Sequence, residues 1–113
     1  QERQASTKSF VSKAMEYVQE HYRDRNITIE SVCRELGVSA AYFSTVFKKE
    51  TGKTFISFLT DYRMEKAVEL LMTTNDKTYI IAEKVGYADP NYFSYAFKKQ
   101  YSMSPSKYRT ANS

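Results

Sequence analysis

The chain has 113 residues, of which 42% are hydrophobic, and this length favours one compact domain or two very small lobes sharing a connector. With three Gly and two Pro, the composition argues against a β-rich or disordered chain. The single Cys excludes an internal disulfide and a zinc site built from several Cys, and it is typical of a cytoplasmic protein. No apolar run reaches transmembrane length, and the net charge of +4 permits nucleic acid as a partner without requiring it.

The first part of the chain predicts two helices joined by a short turn. Ser6 or Ser9 is expected to cap the first helix, which runs to about Arg23 and has apolar residues at spacings of three and four. Thr28 is expected to cap the second helix. That helix ends at Gly37, because glycine adopts at low cost the left-handed backbone that closes a helix.

Two further helices are predicted around the middle of the chain. Ser39 is expected to cap the third helix, which ends at Gly52. Thr54 can then cap a long helix that runs to about Met72. Arg63 is predicted to lie off the apolar stripe of this long helix. The stripe consists of Phe55, Phe58, Leu59, Tyr62, Ala67, Leu70 and Leu71.

A polar loop at residues 73–76 leads into the second half of the chain, which predicts two short helices and one longer helix between them. Asp89-Pro90 is a strong helix start, with Asp as the cap and Pro at the first helical position. The helix that it begins runs to about Tyr101. The short helix before it has three residues facing inward, namely Ile81, Ala82 and Val85.

The last helix begins with the same signal, a capping residue followed by proline, at Ser104-Pro105. It is predicted to run through Tyr108, and the tail at residues 110–113 is expected to be disordered. These elements divide the chain into a first lobe at residues 6–53, a linker helix at 54–72 and a second lobe at 73–109.

One segment with the sequence of a helix occurs twice in this chain, in closely similar form. Tyr-Phe-Ser-Thr-Val-Phe-Lys-Lys at residues 42–49 returns as Tyr-Phe-Ser-Tyr-Ala-Phe-Lys-Lys at residues 92–99, and each copy follows a turn that contains glycine. Helix, glycine-containing turn and helix is the outline of a helix-turn-helix, whose second helix lies in the DNA major groove. The linker would be roughly 28 Å long, against a groove repeat of about 34 Å. Two units about one DNA turn apart are therefore favoured.

Four motifs carry a family resemblance, namely Ile-Ala-Glu-Lys-Val-Gly-Tyr-Ala-Asp-Pro-Asn-Tyr-Phe-Ser at 81–94, Phe-Lys-Lys at 97–99, Ser-Pro-Ser-Lys-Tyr-Arg at 104–109 and Tyr-Arg-Met-Glu-Lys-Ala at 62–67. They resemble the AraC/XylS family of DNA-binding domains. The resemblance covers nearly the whole chain. It implies an all-α fold of about seven helices, with two helix-turn-helix lobes joined by a long linker helix, in a bacterial transcription regulator that binds double-stranded DNA.

The second half also resembles the output domains of two-component response regulators that carry this domain at the C-terminus. The chain begins at Gln1 rather than Met, and we expect it to be a piece of a longer protein. The resemblance implies that the missing N-terminal regulatory domain is a phosphorylatable receiver. RNA polymerase is a further candidate partner.

Each repeat helix has a face that we expect to meet DNA. Helical spacing turns Phe43, Val46 and Phe47 toward the lobe core, as it does their counterparts in the second copy. The resemblance places the base-facing positions on Ala41, Ser44, Thr45, Asn91, Ser94 and Tyr95. Asn91 suits a bidentate pair with adenine, whereas Ala41 can make only apolar contact, for instance with a thymine methyl group. The first repeat helix has no Arg, Asn or Gln on this face, so we expect the first lobe to read bases through fewer hydrogen bonds than the second lobe.

Contact with phosphates is expected from helix N-termini and from residues that flank the base-facing positions. They are Ser39, Lys48, Lys49, Lys98 and Lys99, with Lys53 beside them. Lysines near a helix C-terminus are also ordinary solvated residues, and phosphate contact is favoured more for Lys48 and Lys98 than for the lysines that follow them. For Tyr42 and Tyr92, packing is favoured over base contact, since aromatic rings on helices usually pack.

Two other side chains have open interpretations. Arg63 could contact phosphate or pair with an acid that holds the lobes, and arginine does both readily. For Cys33, the interpretation as a small buried core residue is favoured over a reactive or redox role.

An enzymatic function is not supported by this sequence. One His and one Cys stand far apart, and the chain has no Gly-rich phosphate loop or cluster with metal-ligand spacing, so we expect no cofactor and no metal. The competing function is a helical protein-interaction module. It explains amphipathic helices equally well, but it explains less well why lysines and small polar residues recur on the same faces of both copies.

Overall fold

The computed structural model of the chain describes the backbone of residues 2–113 and the side chains of residues 10–113. Over this described backbone the regular structure is entirely helical, with seven helices, which confirms the all-α prediction. The helices are α1 (Glu2–His21), α2 (Ile29–Leu36), α3 (Ala40–Thr51), α4 (Phe55–Thr73), α5 (Thr78–Lys84), α6 (Pro90–Tyr101) and α7 (Pro105–Ala111).

The helices belong to two compact units, each with its own core. The first unit comprises the chain up to Tyr22 together with Asn26–Tyr62. The second comprises Arg23–Arg25 and Arg63–Ser113. The helix α4 therefore begins in the first unit and ends in the second.

Local side-chain chemistry sets the bounds of α2 and α3. Thr28 and Ser31 form a reciprocal capping box at the start of α2, with both hydrogen bonds at 3.0 Å. Gly37 ends α2 with a φ of 74°, a left-handed backbone that strains any residue with a Cβ. The Ser39 hydroxyl then accepts a hydrogen bond from the Tyr42 amide at 3.2 Å. The predicted caps and turn are confirmed.

Phenylalanine rings fill the core of the first unit. Phe43 and Phe47 are fully buried and their ring centroids lie 5.5 Å apart. Phe55, from the first turn of α4, contacts both rings edge-on at 5.4 and 5.6 Å. These aromatic pairs add to the stabilisation that burial of their apolar surface provides.

The second unit repeats this plan. Phe93 and Phe97 of α6 are fully buried, and Phe97 contacts the rings of Tyr101 and Tyr108 at 4.7 and 5.5 Å. The predicted inward residues of α5 and the turn that follows it are all fully buried, namely Ile81, Ala82 and Val85. Met64 is fully buried as well, although it was not predicted to lie on the buried side of α4.

Two sequence-based helix bounds are wrong, the start of α1 and the end of α7. The helix α1 already begins at Glu2, before the predicted start, so Ser6 and Ser9 lie inside it. The structure describes no side chain before residue 10, so the predicted cap at these serines lies outside the described residues. The helix α7 extends to Ala111 rather than ending near Tyr108, because no breaker interrupts it there. Residues 110 and 111 of the predicted disordered tail are therefore helical.

Candidate nucleic-acid interface

The helices α3 and α6 have the same construction. Each has 12 residues and a polar N-cap, Ser39 for α3 and Asp89 for α6. Each buries two phenylalanines four residues apart and ends in a left-handed cap. Since residues three and four apart lie on one helical face, burial of the phenylalanines turns the opposite face of each helix toward solvent.

On α3 the three predicted base-facing residues share one exposed face. Ala41, Ser44 and Thr45 are all exposed. Tyr42 beside them is 58% exposed, and its ring stacks on Phe10 of α1 with the centroids 5.8 Å apart. The structure thus gives Tyr42 a packing partner, as predicted, but leaves most of the side chain open to solvent.

On α6 the predicted residues also share one face. Asn91 and Tyr95 are exposed and Ser94 is half-buried. Tyr92 is 57% exposed, and its ring lies 6.0 Å from that of Tyr87 and 6.1 Å from that of Tyr95. The prediction that packing dominates at Tyr92 therefore underestimated its exposure.

The predicted phosphate-contacting residues are all exposed. Lys48 and Lys49 lie in the last turn of α3, and Lys98 and Lys99 lie in the last turn of α6. The Nζ atom of Lys99 lies 5.9 Å from the centroid of the Tyr95 ring. Lys53 differs from these lysines, because its Nζ atom is 2.7 Å from Asp61 Oδ2 and part of its charge is already compensated.

The two helix N-termini differ in charge. In α3 the cap is the neutral hydroxyl of Ser39, which still has a proton to donate. In α6 the Asp89 carboxylate accepts the Asn91 amide at 2.9 Å. A carboxylate at this end stabilises the helix but repels a phosphate. The N-terminus of α6 is therefore a poorer phosphate site than that of α3.

Arg63 is buried and does not lie off the apolar stripe, which corrects the prediction. Its side chain donates to the backbone carbonyl of Asp24 at 2.8 Å, and its guanidinium lies 5.5 Å from the centroid of the Tyr87 ring. Burial lowers the pKa of Arg63, while Tyr87 and the charge of Asp24 act in the opposite direction. A side chain held in this way is not on the surface that a phosphate reaches.

Arg109 organises the second unit in a way that sequence reasoning missed. Its guanidinium donates to three backbone carbonyls, those of Leu71 at 2.9 Å, Thr74 at 2.9 Å and Asp76 at 2.8 Å. These carbonyls lie at the end of α4 and in the loop after it, where backbone acceptors lack helical partners. Arg109 thus holds the loop that leads into α5, and its place in a family motif was the only sequence signal.

Cys33 is buried in the first core, which confirms its predicted structural role. Burial raises the pKa of its thiol, and the negative charge of Glu30 adds to the effect, so the reactive thiolate is disfavoured. Among the described residues, no group of His, Cys, Asp and Glu is arranged to hold a metal ion. No helix within the described residues is long and apolar enough to span a membrane.

The paired caps, buried phenylalanines and exposed helix faces define the helix-turn-helix class, and comparison with known proteins agrees. A model of a helix-turn-helix domain family matches residues 32–111. The C-terminal domain of AraT, a response regulator from Geobacillus stearothermophilus, is 46% identical with a TM-score of 0.89, over 90% of this chain and 84% of that domain. The C-terminal domain of the response regulator yesN from Fusobacterium nucleatum is 42% identical with a TM-score of 0.85, over 87% of this chain and 95% of that domain.

The chain belongs to the AraC-type helix-turn-helix family, the DNA-binding domains of bacterial transcription regulators. This family of domains is not enzymatic. The predicted resemblance is thereby confirmed. A curated relative, the uncharacterized HTH-type transcriptional regulator YisR of Bacillus subtilis, is 39% identical over 97 residues. These residues are 86% of this chain but 33% of YisR, so the chain spans about a third of the length of that relative.

Proposed function

We propose that this domain reads specific sites in double-stranded DNA by placing α3 and α6 in adjacent major-groove segments. The observation that carries the proposal is the repetition of one design in two helices, each with a buried phenylalanine pair and an exposed face of small polar and cationic residues. The major groove of B-DNA admits an α-helix and presents a distinct pattern for each base pair. Two similar helices can bind DNA in the same way, because the major groove recurs at each turn of the duplex.

Base readout is assigned to the exposed faces of the two helices, with unequal weight. On α6, Asn91 can form a bidentate pair with adenine N6 and N7, and Ser94 and Tyr95 lie beside it. On α3, the corresponding residues are Ala41, Ser44 and Thr45. Because the α3 residues include no amide or guanidinium, we expect α6 to carry most of the hydrogen-bonded specificity.

Phosphate contacts are assigned to residues that flank these faces. Support comes from the exposure of every lysine in the last turns of α3 and α6 and from the free hydroxyl proton of Ser39. The residues are Ser39, Lys48, Lys49, Lys98 and Lys99. Such contacts set affinity and register without reading sequence.

The longer protein is proposed to be a two-component response regulator that acts in the cytoplasm. Support comes from two similar solved domains, both C-terminal parts of response regulators, and from the greater length of the curated relatives. In this proposal an N-terminal receiver domain controls the DNA-binding domain, and RNA polymerase is the partner at the promoter.

Replacing Lys98 by alanine should weaken binding to all DNA sequences alike. Loss of one phosphate contact should also reduce the slope of log K against log salt concentration by about 0.9. Fluorescence anisotropy with labelled duplexes at several salt concentrations measures both effects. Lys77→Ala, at an exposed lysine that precedes α5, is the matched control and should leave the slope unchanged.

The same titration tests the competing function. Binding that loses no affinity as salt rises, or that is absent at low salt, would favour a protein-interaction module. A loss at one base position only would instead remove Lys98 from the phosphate contacts.

Replacing Asn91 by alanine should cost about 1–3 kcal/mol of binding free energy on the best site and relax the preference at one base pair. The substitution spares the helix cap, because Asp89 binds the backbone amide of Asn91 rather than its side chain. Competition binding against sites changed at single positions measures the effect. Asn75→Ala, in the exposed loop before α5, is the control. Unchanged preference at every position would exclude Asn91 from base readout.

A further inference from the structure

Three tyrosines of the second unit form a continuous surface, of which the readout described above uses only Tyr95 and gives that residue no target base. We call Tyr87, Tyr92 and Tyr95 the tyrosine strip. Neighbouring rings in it lie 6.0 and 6.1 Å apart. Tyr92 and Tyr95 are 57% and 60% exposed, although they lie on a helix whose opposite face is a packed core. Exposed aromatic surface of this kind marks a binding site more often than an isolated apolar residue does.

The strip is held in place at one end. The ring of Tyr87 contacts the buried Phe93, with the centroids 5.5 Å apart, and lies under the buried guanidinium of Arg63. Arg63 in turn donates to the backbone carbonyl of Asp24. Tyr92 therefore packs against a fixed ring, and Tyr95 packs against Tyr92. A surface that is ordered before binding loses less entropy when it meets a partner.

The surroundings of the strip favour DNA over a protein partner. Asn91 and Ser94 lie on the same side of α6 as Tyr95, Lys99 lies over the Tyr95 ring, and Lys98 is exposed in the same last turn. Lysine is depleted at protein interfaces, whereas it is the usual partner of phosphates at the edge of a groove. An apolar ring flanked in this way has one apolar target in the major groove, because only thymine presents a methyl group there.

We infer that Tyr92 and Tyr95 recognise the 5-methyl groups of thymine in the part of the site that α6 reads. The inference rests on the proposed function and adds the base that this surface selects. The ring faces carry the contact, and the phenol hydroxyls are not required for it. Arg63 and Tyr87 are positioning residues, since they fix the strip without reaching the groove.

The test replaces thymine by deoxyuridine, which removes the methyl group and keeps every hydrogen-bonding atom. Each thymine of the best site, obtained by selection from random duplexes, is replaced in turn, and binding of the 113-residue chain is measured. We expect at least one replacement in the α6 half of the site to weaken binding about fourfold, as for the loss of one buried methyl group.

Variants separate the ring from its hydroxyl and from the fold. Tyr95→Phe should keep the preference for thymine over deoxyuridine, whereas Tyr95→Ser or Tyr92→Ser should abolish or reduce it. Both positions are exposed and serine has a helix propensity similar to that of tyrosine, so the variants should fold. Tyr79→Ser, at a tyrosine of α5 that is 56% exposed, is the matched control and should keep the preference.

The outcomes distinguish this inference from the proposed function. Sequence-specific binding that is equal on thymine and deoxyuridine at every position overturns the inference alone, as does a selected α6 half-site without thymine. Full discrimination by both serine variants assigns the methyl contact to another residue and also overturns it. Absence of any sequence-specific binding overturns the proposed function and the inference together.

Discussion

Replacing Phe97 by alanine is expected to lower the free energy of unfolding by about 3–5 kcal/mol, and Phe47→Ala should have a similar effect. Both side chains are fully buried. Phe97 lies within 4.7–6.0 Å of three other rings, measured between centroids, so truncation leaves a cavity that its rigid neighbours cannot fill. Phe47 has three ring neighbours at 5.5–5.7 Å. Urea unfolding followed by circular dichroism measures the loss.

The control for these substitutions is Tyr79→Ala, because this side chain is 56% exposed. A surface change of this kind should alter the free energy of unfolding by no more than about 0.5 kcal/mol. If Phe47→Ala and Phe97→Ala were as stable as the unsubstituted chain, the two helices would be rotated from the orientation described. The assignment of α3 and α6 faces to DNA would then be wrong as well.

Replacing Arg109 by alanine is expected to cost about 2–3 kcal/mol, since three hydrogen bonds from a charged donor are lost together. The cost stays below the sum of three such bonds because Arg109 is only half-buried and water can reach part of the space. We expect amide hydrogen exchange to rise in the loop between α4 and α5, where Thr74 and Asp76 lose their donor.

Two further substitutions make this test specific. Lys107→Ala removes an exposed cation from the same helix and should leave stability unchanged. Arg109→Lys should recover only part of the loss, because an ammonium group cannot reproduce the planar fork of a guanidinium. Full stability of the alanine variant would show that the three carbonyls are satisfied without Arg109.

Local signals made most helix bounds predictable from the sequence. Thr28, Ser39 and Ser104 bind a backbone amide three residues ahead, and Asp89 binds one two residues ahead. An interaction this short depends on residue type and spacing alone. The helix α1 begins before the serines that were predicted to cap it, and α7 continues past Tyr108 because nothing there stops it.

The roles of Arg63 and Arg109 could not be predicted, because their acceptors are distant in sequence. Arg63 binds a carbonyl 39 residues away, and Arg109 binds carbonyls 33–38 residues away. On a helical wheel both look like solvated cations. Their burial follows from the packing of each unit, which a pattern of apolar residues does not contain.

Helical spacing correctly predicted which faces of α3 and α6 are exposed, since the buried phenylalanines determine which side faces solvent. The exposure of Tyr42 and Tyr92 was underestimated, because aromatic residues pack in most proteins. Whether such a ring is covered depends on what lies opposite it. Phe10 stacks on Tyr42, whereas Tyr92 has only other tyrosines as ring neighbours among the described side chains.

The most direct test of DNA readout by α3 and α6 is selection from a random library of duplexes about 30 base pairs long, roughly three helical turns, followed by sequencing. We expect two enriched blocks with centres about 10 base pairs apart, as for two helices in adjacent major grooves on one face of the duplex. A single block would mean that α6 reads sequence while α3 only anchors the domain. No enrichment, together with binding that salt does not weaken, would contradict DNA readout and favour a protein partner.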